Sequence, residues 1–207
     1  MNVSVQGLGK RFDREWIFRG LTLDLTPGEP LAVTGPNGSG KSTLLQVLSG
    51  AVPASEGTLA YRLGEKLIEP DAVFRHLTFA APYLELVEEF TLTELLRFHV
   101  RFKALRLGLS PDDFPDLLEL SHARHKILRY FSSGMKQRVK LGLALYSQAS
   151  LVLLDEPTAN LDAQGAAWYR HHVRQLPPDV TLLIASNQPS EYEFCENILD
   201  IRTVKGR

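Results

Sequence analysis

Cysteine is nearly missing: Cys195 is the only one among 207 residues. One cysteine excludes an internal disulfide, so the fold must rest on its core, and the count fits a reducing compartment. Long hydrophobic runs are missing as well. Stretches such as 151–154 fall far short of the ~20 apolar residues that span a bilayer. No membrane-crossing helix is expected, and the N-terminal MNVSVQGLGKRF lacks the charged start and apolar run of a secretory signal. An excess of charge of either sign is absent, since 23 Lys and Arg face 24 Asp and Glu for a net charge of -1. With no basic field to hold a phosphate backbone, no nucleic-acid partner is expected. Repeats and low-complexity tracts are also lacking, which sets aside solenoid and fibrous architectures.

What is present is a globular composition, with 44% hydrophobic and 23% charged residues. Short β-like runs at 3–5, 21–25 and 59–63 come early and suggest antiparallel ribbons. Apolar runs at 31–34, 77–80, 151–154 and 182–185 are bounded by turn residues and read as buried strands of a parallel sheet. Residues 198–201 suit a closing strand. Between the β-rich pieces, 91–106 and 112–120 carry helical spacing, so 83–130 reads as an inserted helical lobe. The histidine pairs His122/His125 and His171/His172 read as solvated surface.

Gly35-Pro36-Asn37-Gly38-Ser39-Gly40-Lys41-Ser42 fits the pattern G-x-x-x-x-G-K-S/T, and Thr43 follows it. The loop lies between the run 31–34 and the helical pattern 42–48, which is the context such a motif needs. Its glycines let backbone N–H groups turn inward around phosphate oxygens, and the following helix offers its positive end. Lys41 would neutralise β- and γ-phosphates, and the Ser42 hydroxyl would ligate Mg²⁺. The run 151–154 ends in Asp155-Glu156. Asp155 suits a magnesium site, and Glu156 suits a general base facing the attacking water. Ser132 and Gly134 open a further helical pattern at 136–146, a second helix start able to receive an anion.

Taken together, these residues resemble the nucleotide-binding domain of ABC transporters over essentially the whole length. Leu154-Asp-Glu-Pro-Thr-Ala-Asn-Leu-Asp162 is similar to that family's Walker B and D-loop, and Phe131-Ser-Ser-Gly-Met-Lys-Gln-Arg138 to its signature motif. The resemblance implies a P-loop NTPase core of α/β class, with a mostly parallel sheet, an N-terminal antiparallel β-subdomain and an inserted α-helical lobe. It implies one ATP-binding domain over 1–207, with 1–82 and 131–207 as core and β-subdomain and 83–130 as the lobe. ATP and Mg²⁺ are the implied cofactors. Each ATP would lie between one chain's phosphate loop and another's Ser132 and Gly134, in a homodimer or a pair of ABC subunits. Phe12 stands where the family places its adenine-stacking aromatic, with Trp16 as the rival. A separate transmembrane permease would dock near Pro82 to Phe90, and the chain would lie on the inner, cytoplasmic face of the cell membrane.

Three positions depart from the family. Pro82 occupies the place of the Q-loop glutamine, with Glu85 as a conceivable stand-in. Asn187 replaces the switch histidine and offers an amide that cannot carry positive charge. The signature reads Ser-Ser-Gly-Met where Ser-Gly-Gly-Gln is usual. These departures predict intact ATP binding with slowed hydrolysis. Two alternatives stand beside transport: a soluble ABC-type ATPase acting on ribosomes or DNA, and a weakly hydrolytic, nucleotide-gated scaffold.

Overall fold

A computed structural model describes residues 1–204. The chain divides into two compact units, the first holding 1–79, 149–156 and the residues from 176 onward, the second 80–148 and 157–175. Residues 83–130 lie within the second unit, together with the signature segment.

The first unit contains two sheets. In chain order its elements are β1 (Asn2–Phe12), β2 (Glu15–Leu25), β3 (Leu31–Thr34), α1 (Lys41–Leu48), β4 (Glu56–Leu63), β5 (Lys66–Ile68), β6 (Leu77–Ala80), β7 (Leu151–Asp155), β8 (Thr181–Ala185) and β9 (Asn197–Asp200). One sheet has the order β2-β1-β4-β5 and is antiparallel; the other has the order β6-β7-β8-β3-β9. Within the second sheet β7, β8, β3 and β9 run parallel. Every residue of β7 and β8 is buried, as their unbroken apolar runs require.

The core gathers Val3, Val5, Leu8, Phe18 and Leu21 of the ribbon with Leu44, Leu45 and Leu48 of α1 and Leu153 and Leu183 of the parallel sheet. Each fully buried leucine contributes ~2 kcal/mol of transfer free energy. The α1 helix is thereby fixed between the two sheets. Its last turn is anchored from the side, because the buried Tyr61 hydroxyl donates to the Leu48 carbonyl at 2.8 Å.

The second unit is helical, with α2 (Leu92–His99), α3 (Phe114–Leu117), α4 (Ser133–Tyr146) and α5 (Ala163–Val173). Thr91 and Glu94 close a capping box at the start of α2. The helix expected over 91–106 ends early, at His99. Beyond it the chain turns to bond the end of α4: Gln148 donates its N–H to the Ala104 carbonyl at 2.8 Å, and Arg106 Nε donates to the Ser147 carbonyl. Those long-range bonds outweigh the helical spacing of the sequence. Of the pair His171/His172, the first is exposed as expected and the second differs. His172 is half-buried against the Trp168 ring, 4.4 Å between centroids, and bonds the Tyr146 hydroxyl. Burial is the main cause that holds its imidazole below the ordinary histidine range.

Candidate functional site

Three strands of the parallel sheet end on one edge, and each leads into residues singled out by the sequence. β3 runs into the loop 35–40, β7 ends in Asp155 before Glu156, and β8 leads through Ser186 to Asn187. The carboxyl edge of a parallel sheet is the usual seat of a ligand. Two backbone bonds carry the ladder past the strand ends. Glu156 donates its N–H to the Ala185 carbonyl at 2.8 Å, and Ser186 to the Val33 carbonyl at 3.0 Å. The three loops are therefore tied together at their bases by main chain.

The phosphate loop has the features an anion needs. α1 begins at Lys41 behind Gly40, which sits at φ 105 with no side-chain cap and no acidic residue in the first turn. The first N–H groups and the positive end of the helix are left for a ligand. A Cβ on Gly40 would stand 2.6 Å from Cγ2 of Ile17, so only glycine lets β2 lie this close to the loop. Lys41 is 4% exposed, and its Nζ donates to the carbonyls of Gly35 at 2.9 Å and Pro36 at 3.3 Å. The same Nζ lies 4.0 Å from Glu156 Oε1. The Ser39 hydroxyl is buried and has no hydrogen-bond partner among the described residues. A buried ammonium, a buried hydroxyl and uncapped N–H groups gathered in one loop fit a phosphate group.

The remaining residues of this edge differ in exposure. Ser42 and Thr43 are half-buried in the first turn of α1, and Asp155 is buried at the end of β7. Glu156 adopts φ 41, in the left-handed region. A non-glycine residue held there costs ~1 kcal/mol or more, and such strain gathers at chemically active positions. Asn187 Nδ2 donates to Asn37 Oδ1 at 3.0 Å, so the residue in the switch position already reaches the phosphate loop. Sequence reasoning named both asparagines but missed their bond, because 150 residues separate them.

Phe12 ends β1 at the tip of the ribbon, 48% exposed, with Lys10 Nζ 4.7 Å from its ring centroid. Trp16 is half-buried and crowded by the guanidinium groups of Arg19 at 4.6 Å and Arg11 at 5.6 Å. Of the two aromatics, Phe12 is the more exposed.

The second unit holds the other predicted anion site. Ser132 caps α4 by accepting the Met135 N–H at 3.2 Å, and no acidic residue occupies the first turn. A Cβ on Gly134 would come 2.8 Å from the Asn160 carbonyl, so glycine is needed where the segment after β7 crosses the helix start. Gln137, fully buried, donates from Nε2 to the Pro157 carbonyl at 3.0 Å and fixes that crossing. Ser132, Gly134, Arg138, Asn160 and Asp162 line a cleft of about 490 Å³. Pro82 also lies in this unit; it is half-buried and supplies a carbonyl, not a side chain, to hydrogen bonding.

The family description "ABC transporter" matches residues 18–159. The chain belongs to the ABC transporter family. Among curated relatives it is 28% identical over 212 residues to the sulfate/thiosulfate import ATP-binding protein CysA of Photorhabdus laumondii, covering 98% of this chain and 58% of that one. It is 29% identical over 205 residues to the linearmycin resistance ATP-binding protein LnrL of Bacillus subtilis, covering 95% and 65%. The chain thus spans less than two thirds of the length of these relatives. Among solved structures, a dimeric bacterial ABC transporter cassette superposes with a TM-score of 0.80 at 20% identity, covering 96% of this chain and 94% of that one. That likeness places the fold as the α/β ABC cassette. Among the described residues no helix is long and apolar enough to cross a membrane.

Proposed function

We propose that the chain binds Mg-ATP on residues 35–43 and hydrolyses it as one half of a head-to-tail pair, powering a membrane transporter. The observation that carries this reading is the meeting of Lys41, Glu156 and Asn187 on one sheet edge, with Lys41 and Glu156 4.0 Å apart and Asn187 bonded to the phosphate loop. Lys41 and the N–H groups of 38–43 hold the phosphates. Phe12 stacks on the adenine. Glu156 accepts a proton from the water that attacks the γ-phosphorus, while the bond to the β–γ bridging oxygen breaks and ADP leaves. Asn187 donates to a γ-phosphate oxygen, in place of its bond to Asn37. The Ser42 hydroxyl and the Asp155 carboxylate are the oxygen donors that suit Mg²⁺, which when bound neutralises charge on the phosphates.

Ser132 and Gly134 are assigned to the ATP held by a second copy or a paired ABC subunit, as the resemblance to ABC cassettes implies. The resulting arrangement places two nucleotides in one symmetric interface. Turnover is slow, because Asn187 supplies no positive charge and Pro82 no side-chain amide; losing one such contact typically lowers the rate ~100-fold or more. A permease docks on 82–90. There Tyr83, Leu84 and Val87 are exposed, and Phe90 meets the Phe98 ring edge-on at 5.4 Å. The chain would then sit on the cytoplasmic face of the membrane that holds its partner. The bond between Asn187 and Asn37 also favours a second reading, a nucleotide-gated scaffold with negligible turnover.

Steady-state ATP hydrolysis and sedimentation with Mg-ATP test the proposal. The parent chain should hydrolyse ATP, and Glu156→Gln should lower the rate ~100-fold or more while shifting the chain to a dimer. A parent rate equal to that of Glu156→Gln favours the scaffold. A chain that stays monomeric in both forms refutes the shared site.

A further inference from the structure

Two lysines one turn apart on α4 grip the same loop from either end. Lys140 Nζ donates to the carbonyls of Ala81 at 3.0 Å and Pro82 at 2.8 Å. Lys136 Nζ is ion-paired with the Glu88 carboxylate in a short contact. Between these grips lie the exposed apolar residues Tyr83, Leu84 and Val87. The far end of the loop is also tied by main chain, since Arg129 donates its N–H to the Glu88 carbonyl at 3.0 Å and Leu128 to the Phe90 carbonyl at 2.9 Å. Residues 128–131 lead directly into Ser132. The loop is therefore fastened at both ends to residues 128–140, with all partners in one compact unit.

The energetics of the two grips differ from those of an ordinary surface pair. Lys140 is half-buried, and burial followed by the neighbouring Lys136 holds its ammonium below the usual lysine range. A cation kept in such a place, with its charge spent on two carbonyls and no carboxylate, is there to fix a backbone. Glu88 is held below the ordinary glutamate range first by its hydrogen bond to Lys136. The Glu88 carboxylate therefore stays ionised through the neutral range.

We propose that Lys136 and Lys140 are positioning residues that clamp the exposed apolar loop 81–88 to the signature helix, so that nucleotide engagement at Ser132 and Gly134 is relayed to that loop. The relay rests on the shared-site reading above; the clamp does not. α4 acts as a short rigid lever: its first turn faces the nucleotide of the second copy, and its next two turns carry the loop. The exposed apolar residues then change position or protection when nucleotide is bound, and Pro82 needs no side-chain amide for this.

Hydrogen exchange read by mass spectrometry tests both parts on the intact chain. In the absence of nucleotide, exchange in 83–90 should rise about tenfold in Lys136→Ala/Lys140→Met, with peptides of 31–48 unchanged. Lys136→Glu alone should show a smaller rise, and Lys136→Glu/Glu88→Lys should recover the parent rate. Unchanged exchange in the double variant, or a charge swap that fails to recover, overturns the clamp. In the Glu156→Gln background, Mg-ATP should slow exchange at both 131–136 and 83–90. Adding the lysine changes should keep the first response and abolish most of the second. A loop response that survives the lysine changes overturns the relay. A chain that forms no dimer overturns the shared-site reading and the relay with it, while the nucleotide-free comparison still decides the clamp.

Discussion

At the scale of single residues, the site depends on a few side chains that do not resemble one another in exposure. Lys41 and Asp155 are buried and Glu156 is strained, whereas Asn187 is exposed and bonded to Asn37. The buried pair is fixed by the fold. The asparagine must break one hydrogen bond to reach a phosphate, and that bond contributes about 1 kcal/mol at most at an exposed position. Two substitutions separate charge from this competition. Asn187→His should raise the ATP turnover number about tenfold or more, since an imidazole can carry positive charge to the γ-phosphate. Asn37→Ala should raise it only about twofold, by freeing the amide without adding charge. Equal rates for Asn187→His and the parent would show that the missing histidine does not limit hydrolysis.

At the scale of elements, the sequence was most readable where burial is complete. The runs at 31–34 and 77–80 coincide with β3 and β6, because a largely buried strand reads as a mostly apolar run bounded by turn residues. The ribbon strands are longer than the runs 3–5, 21–25 and 59–63 suggest. β1 spans Asn2–Phe12, but register shifts at Val5/Leu8, Leu8/Lys10 and Lys10/Arg11 break the alternation that would have revealed it. The loop 35–40, Asp155 and Glu156 were legible as motifs because each follows its strand directly. The Asn37–Asn187 bond and the grip of Lys140 on Ala81 and Pro82 were not, because no local pattern encodes a contact across many residues.

The capping box of α2 was only half visible, as a helix start at Thr91. Glu94 accepts hydrogen bonds from the Thr91 N–H and hydroxyl, both at 2.8 Å, and these bonds hold its carboxyl below the ordinary glutamate range. A depressed carboxyl pKa stabilises the fold above the unfolded value and loses that contribution as pH falls through the folded value. Thr91→Ala should lower the urea midpoint of unfolding at neutral pH. The difference from the parent should narrow as the pH drops below the glutamate range. A penalty that does not change with pH would show that the bond from the Thr91 hydroxyl to Glu94 contributes nothing to the cap.

At the scale of the whole molecule, the decisive property is where nucleotide binding energy goes. The start of α1, which has no side-chain cap, and that of α4, capped by Ser132 with no acidic residue in its first turn, are each suited to phosphate, and the proposed function divides them between two copies. If the nucleotide were held by one chain alone, thermal stability would rise with ATP by simple mass action. At 100 times the dissociation constant the gain is ~2.7 kcal/mol. That corresponds to a rise in Tm of ~5–10 °C for a chain of this size, independent of protein concentration. If the nucleotide also joins two chains, unfolding must separate them, and Tm acquires a dependence on protein concentration that is present only with Mg-ATP. Melting curves of Glu156→Gln at protein concentrations spanning a hundredfold should show this dependence with Mg-ATP and lose it with Mg-ADP, which lacks the γ-phosphate that Ser132 and Gly134 would receive. A Ser132→Ala/Gly134→Ala variant should keep the part of the rise that Lys41 and the phosphate loop supply, yet lose the concentration dependence. A Tm that ignores protein concentration in every nucleotide state would leave α4's helix start without a phosphate to bind.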